Sequence, residues 1–311
     1  MRTQLPKLIA CAVAMLALAG ISSAQVTAYQ EEQNMAVEAH VGNLAGHATD
    51  ASMNYRRYCA GCHGVLGDGE GENAMWLDPK PRNFTLGQFK CRSTPSGSLP
   101  TDDDLYNTVG RGLQSSNMPS WNPLSDQQRI DLVAYVKHFS DRFKTEKPGA
   151  VIPIPAEPDV TADRIKAGQA LFQKLECWKC HGVEGRANGP SADTLTDDQN
   201  HPIKPFNFHD QTKFKCGTGD GDLYRIFMTG LDGTPMPSFA DNVKPDEAWD
   251  LVFYLRTLQP QHSKEKEIAK QLGLKPINPN AAAVPAAAET PAPATPAPAP
   301  NTDNKPEGQN K

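Results

Sequence analysis

The apolar and polar positions of this chain follow a helical period. Ser125-Asp126-Gln127-Gln128 is a capping-box arrangement, and beyond it Leu132, Val136 and Phe139 fall at i, i+4 and i+7 on one stripe. Pro245, suited to a first helical turn, opens a second copy in which Leu251, Leu255 and Leu258 repeat the stripe. Thr101 before Asp102-Asp103-Asp104 predicts a third helix start, with the acids at the positive end of the helix dipole rather than around a metal. Neither half shows a convincing series of alternating strands, so the pattern predicts an all-α fold.

The pattern also repeats. Phe89-Lys90-Cys91 answers Phe214-Lys215-Cys216, and Asp104-Leu105-Tyr106 answers Asp222-Leu223-Tyr224. Met118-Pro119-Ser120-Trp121 answers Met236-Pro237-Ser238-Phe239, and Asp131 to Tyr135 answers Asp250 to Tyr254. Such a period is far longer than a solenoid repeat, which makes this a duplicated domain rather than an array. Six segments follow: an export signal over 1–24, a polar leader over 25–44, a first domain over 45–145, a proline-rich, semi-rigid linker over 146–159, a second domain over 160–262, and a tail over 263–311. The tail is polar at first and then an Ala-Pro tract that cannot pack a core. Domains of this size have modest cores, so a large buried apolar group would supply much of the missing contact.

Each half holds one Cys-x-x-Cys-His pentapeptide, Cys59 to His63 and Cys177 to His181, which is the attachment signature of a c-type haem. The two thiols form thioethers with the porphyrin vinyl groups, and the adjacent histidine ligates the iron from below. The sixth ligand decides the chemistry, since a thioether raises the reduction potential and a second imidazole lowers it. Met118 and Met236 are the candidates, because the same interval of 55 residues separates them from His63 and His181. Met53, Met75 and Met228 have no counterpart in the other repeat and read as core filler. His138, His201 and His209 read as surface or loop residues, and His40 and His47 could ligate only by folding back. Zinc held by the Cys-x-x-Cys-His clusters is a formal alternative.

On these motifs each half resembles a class I cytochrome c domain, and the whole, over about 45–262, resembles a dihaem c-type cytochrome of the bacterial periplasm or cell surface. The resemblance implies an all-α fold around each of two covalently bound haems c, with one haem edge exposed for electron exchange. It also implies a backbone carbonyl that orients each proximal imidazole. Pro79, Pro81, Pro190 and Pro205 mark candidate loops for that carbonyl. Tyr55 stands four residues before Cys59, whereas Phe172 stands five before Cys177, which leaves the two first helices one step out of register.

Met1 to Lys7 is a positively charged start, Leu8 to Ile21 is apolar, and Ser22-Ser23-Ala24 suits a signal peptidase, predicting export with cleavage after Ala24. Too few apolar residues precede Cys11 for a lipoprotein signal. The formal charge is −5, and −7 once Arg2 and Lys7 leave with the signal. That balance argues against nucleic acid and suits basic redox partners. Of seven cysteines, Cys91 and Cys216 remain once Cys11 and the four haem cysteines are set aside. They stand at equivalent places, so an intrachain bridge between the domains is expected if their Cα atoms lie within about 7 Å; separate thiols and interchain pairing are the alternatives. The function expected is electron transfer between redox proteins, without a small-molecule substrate. A dihaem peroxidase-like enzyme, and a haem subunit of a larger respiratory or extracellular electron-transfer complex at a membrane, are the alternatives.

Overall fold

The computed structural model describes residues 37–210 and 214–279. The export signal and the Ala-Pro tract lie outside the described residues. Within them, no helix is long and apolar enough to cross a membrane.

The first half runs β1 (Glu38–Val41), β2 (Leu44–His47), α1 (Ala48–Tyr58), α2 (Ala60–His63), a 3-10 turn (Ala74–Trp76), α3 (Asp102–Arg111), α4 (Asp126–His138) and α5 (Arg142–Thr145). The second runs α6 (Ala162–Lys174), α7 (Trp178–His181), a 3-10 turn (Ala192–Thr194), α8 (Asp220–Thr229), α9 (Pro245–Leu258) and α10 (Ser263–Gln271). The helix starts fall where the capping signals put them. Thr101 and Ser125 accept from the N3 amides of α3 and α4, and Pro245 occupies the first turn of α9. Asp104 closes the first box from the Thr101 amide (3.0 Å) and holds Ser93 Oγ (2.9 Å), so the aspartate run serves as a cap.

In each half the first helix packs on the closing helix, α1 on α4 and α6 on α9. The stripes predicted for the closing helices prove too narrow. Ile130 to Val136 are all buried in α4, as are Leu251 to Arg256 in α9. The reason is location: the middle of α4 lies between α1, the β1–β2 hairpin and an apolar cleft lined by Leu132, Val133 and Val136, so those two turns leave no face to solvent.

The one-residue offset between Tyr55 and Phe172 is absorbed locally. The Cys59 amide donates to Tyr55 O (2.8 Å), but the Cys177 amide donates to Phe172 O (3.1 Å), one residue further back. Glu176, at φ 58°, takes up the extra residue in a left-handed turn. Tyr55 and Phe172 therefore meet equivalent partners, Tyr135 at 4.8 Å and Tyr254 at 5.4 Å between ring centroids. The first helices are equivalent after all.

Two extensions correct the segment boundaries. The polar leader ends in the β1–β2 hairpin, which spans residue 45 and docks on α4; Ala39 is fully buried and the His47 amide donates to Asp131 Oδ1 (3.1 Å). Gly46 makes this possible, since a Cβ there would stand 2.3 Å from Ile130 O. At the other end α10 packs on α9 and α6, and Gln169 and Gln173 tie down the carbonyls of Lys275 and Asn278.

Residues 146–161 have no regular secondary structure but are held along their length. The Ile152 amide donates to Ser93 O (2.8 Å), Trp249 Nε1 to Pro155 O (3.3 Å), and Arg256 to Glu157 (2.9 Å). Cys91 and Cys216 form a disulfide between the halves, with Cα atoms 5.1 Å apart. Beside it Arg92, its side chain fully buried, pairs with Asp232 (2.7 Å) and donates to Thr229 O (2.6 Å) of the second half.

Candidate functional site

The Cys-x-x-Cys-His segments form single helical turns, α2 and α7, in which the His63 and His181 amides donate to Cys59 O and Cys177 O at 2.9 Å each. One turn brings the first cysteine and the histidine, at i and i+4, to the same face. The following loop folds back under each turn. Gly69 and Ala187 donate to His63 O and His181 O, and Gly71 and Gly189 to Cys62 O and Cys180 O. Close approach dictates glycine here: a Cβ on Gly71 would lie 2.5 Å from Ala60 O, and one on Gly189 2.3 Å from Lys179 O.

Each imidazole is oriented by a main-chain carbonyl. His63 Nδ1 donates to Arg82 O (3.0 Å) and His181 Nδ1 to Phe206 O (2.9 Å). Of the four candidate prolines, Pro81 and Pro205 are those that immediately precede the acceptors. The arrangement fixes the tautomer and leaves Nε2 as the nitrogen that can bind a metal. Phe84 stacks on His63 at 4.4 Å, and Phe208 lies 5.2 Å from His181. Burial pushes both imidazoles below their ordinary range, which keeps them neutral, the form that ligates. Burial also pushes the Cys59 and Cys177 thiols up to about 12.

The methionine loops are copies of each other. Leu113 and Leu231 donate to Met118 O and Met236 O, both at 3.1 Å, while Ser116 Oγ and Thr234 Oγ1 accept from the methionine amides. Ser120 and Ser238 hydroxyls donate to Gly110 O (2.6 Å) and Met228 O (2.7 Å). Each loop begins at a glycine with positive φ, Gly112 (72°) and Gly230 (70°), where a Cβ would also press within 2.7 Å of Met118 O and 2.6 Å of Ser238 N.

In the first half these parts converge on one cleft. Cys59, Cys62 and His63 line it together with Met118, between walls that include Phe84, Leu105, Val109 and Val136. Its empty space, counting the mouth, is about 1260 Å³. In the second half Cys177, Trp178, Val183 and Met236 pack on a core that includes Leu223, Phe227 and Val252. Trp178 is thus part of the apolar packing. An apolar slot with two thiols, an imidazole free at Nε2 and a thioether fits a covalently attached haem c. The sulfur and imidazole donors would hold its periphery and iron, and the aliphatic and aromatic walls its faces.

The rival residues lie elsewhere. His40 and His47 sit on the hairpin beside Glu38, His201 beside Asp197 (3.4 Å), and His209 Nε2 is engaged by Glu184 O (2.7 Å). His138 Nδ1 contacts Tyr135 O at the end of α4. Met228 is core, as expected, but Met53 and Met75 are not filler: they are 80 % and 68 % exposed. Val65, Leu66 and Trp76 are likewise exposed, the last at 79 %.

The sequence gives no side-chain signature for the carbonyls of Arg82 and Phe206. The prolines before them were the available signal.

The chain matches two known families, one in each half: cytochrome c over residues 165–259, and the cbb3-type cytochrome c oxidase subunit III over 46–136. It is also similar to a solved chain of the Kuenenia stuttgartiensis reducing HAO-like protein complex, with 45 % identity and a TM-score of 0.67. That match covers 72 % of this chain and 99 % of the other. No curated protein is significantly similar. Identity at this level over nearly the whole relative, together with a haem-attachment turn, an oriented imidazole and a methionine loop in each half, settles the kinship: the chain belongs to the cytochrome c family, and each of its halves is a cytochrome c domain.

Proposed function

We propose that each half holds one haem c and that the protein passes electrons between redox proteins. Cys59 and Cys62 attach the first haem, with His63 and Met118 as axial ligands; Cys177 and Cys180 attach the second, with His181 and Met236. The observation that carries this reading is the duplicated construction, in which a carbonyl-oriented imidazole and a glycine-started methionine loop recur in each half. Haem ligated in this way supplies a one-electron ferric/ferrous couple of relatively high potential. The chain's residues hold and tune it. The Arg82 and Phe206 carbonyls fix the imidazoles, the apolar walls exclude water, and the hydrogen-bonded loops hold each sulfur in place.

With both axial positions taken by side chains, no coordination site is left for a substrate, and the reading is electron transfer without small-molecule chemistry. The first half exposes Val65, Leu66, Met75 and Trp76, apolar side chains that a protein partner could cover. The export signal expected from the sequence supports a place of work in the periplasm or at the cell surface. A second reading has support of its own: the related chain belongs to a protein complex, so this one is also suited to be a subunit of a larger redox assembly. Native mass measurement of material from its own cells separates carrier from subunit.

The test is a spectroelectrochemical titration of the purified holoprotein. Two high-potential one-electron steps, with a thioether-to-iron charge-transfer band for both haems, are expected. One strongly negative step, or rapid peroxide turnover after partial reduction, would replace the carrier with a different ligation or with a peroxidase-like enzyme.

A further inference from the structure

A group of cations beside the disulfide has no part in the haem ligation. The Phe-Lys-Cys triplets put Lys90 next to Cys91 and Lys215 next to Cys216, so the bridge between the halves draws the two lysines together. Both line the cleft of His63 and Met118, as does Arg82, and Lys215 reaches it from the second half. Both lysines are half-buried, and among the described residues neither has a carboxylate within ion-pair distance. Arg82 does have one, Asp198 at 3.8 Å.

The two lysines therefore lack a direct anionic partner, although carboxylates lie further off. Burial holds Lys90 down to about 7, with Arg82 and Lys215 repelling it; Asp197 and Asp198 oppose this from the other half. Burial and Arg82 likewise lower Lys215, against Asp78 of the first half. Each lysine thus sits close to the opposite half's loop. Unpaired ammonium groups at the edge of an apolar cleft are costly to desolvate unless an anion joins them. Haem carries two carboxylates on one edge of its ring, and the rest of that ring matches the apolar walls.

We propose that Lys90 and Lys215 together bind the propionate carboxylates of the haem in the first half, so that the second half completes the first half's cofactor site. This rests on the reading that a haem occupies this cleft. It assigns the Cys91–Cys216 bridge a definite task, holding the second-half lysine in place over the first-half haem.

The experiment uses the mature holoprotein and its Lys90→Met, Lys215→Met and double variants, with Lys215→Gln as a second choice should the Met variant not take up haem. Two signals are read: the midpoint potentials, and the propionate-bending line in resonance Raman. Loss of a lysine exposes the carboxylate charge to the iron and favours the ferric form. At fixed applied potential the ferrous-to-ferric ratio of one haem falls about tenfold, a drop of about 59 mV for a one-electron couple, while the other step stays in place. The propionate line shifts in the same variants, and Lys90→Arg and Lys215→Arg restore both signals. Unchanged potentials and an unchanged propionate line in variants with full covalent haem would overturn the assignment. Absence of covalent haem from the wild-type protein would instead overturn the reading beneath it.

Discussion

Arg92 offers the sharpest test of how the halves are joined. Its guanidinium is fully buried and serves Asp232, Thr229 O (2.6 Å), Phe89 O (3.2 Å) and Pro95 O (3.2 Å), two of these across the boundary. Arg92→Met keeps the apolar stem and removes every donor. Asp232 is then left with the Ser96 hydroxyl and the Gly97 amide, both at 2.9 Å, and its side chain is only 11 % exposed. Breaking a buried ion pair from one side costs roughly 3–5 kcal/mol. The two surviving hydrogen bonds put the expected loss near the lower end, about 3 kcal/mol. Urea denaturation followed by tryptophan emission reads it directly. Adding Asp232→Asn removes the stranded charge, so the double variant recovers part of the loss, with a coupling of about 1–3 kcal/mol. Because Asp232 lies in the loop that carries Met236, the Arg92 variant is also expected to disturb the charge-transfer band of the haem proposed for the second half. A loss below about 1 kcal/mol, or strict additivity of the two substitutions, would refute the reasoning.

Four further outcomes follow from the same geometry. Met118→His and Met236→His each lower one of the two potentials steeply and abolish that haem's charge-transfer band, as voltammetry and optical spectra will register. Gly71→Ala and Gly189→Ala force a methyl against the backbone of the attachment turn, and the yield of covalent haem in that half, read by mass spectrometry, collapses. Cys91→Ser with Cys216→Ser opens a link between residues 125 positions apart, and the chain-entropy model gives a loss of about 5 kcal/mol in chemical denaturation. Tyr55→Phe removes the hydroxyl that donates to Gly64 O (2.8 Å) and costs about 1 kcal/mol, measured by the same unfolding curve.

Capping chemistry was legible residue by residue. Thr101, Ser125 and Pro245 mark helix starts because an orphaned amide or a missing one leaves a side-chain signature. The methionine loops were legible because duplication prints the same spacing twice. The closing helices are less legible, since a stripe identifies a helix only where one face meets water. Here the middles of α4 and α9 are enclosed, so polar Asp131 is buried and Asp250 half-buried, where the His47 amide and Arg164 meet them. The hairpin is not legible for want of length: two four-residue strands hold too few positions to establish an alternation. Met53 and Met75 show the converse error, apolar side chains that the fold leaves on its surface. A single left-handed residue, Glu176, reconciled the two first helices, and no side-chain pattern announces a glutamate in that conformation.

Arg82 belongs to two structures at once. Its carbonyl steadies His63, while its side chain spans to Asp198 and to the Asp232 carbonyl (3.5 Å) of the segment that leads to Met236. A shift of that segment therefore need not travel through layers of packing to reach the histidine proposed as the other half's iron ligand. It arrives along one amino acid, as a twist of the peptide that sets the imidazole's bearing.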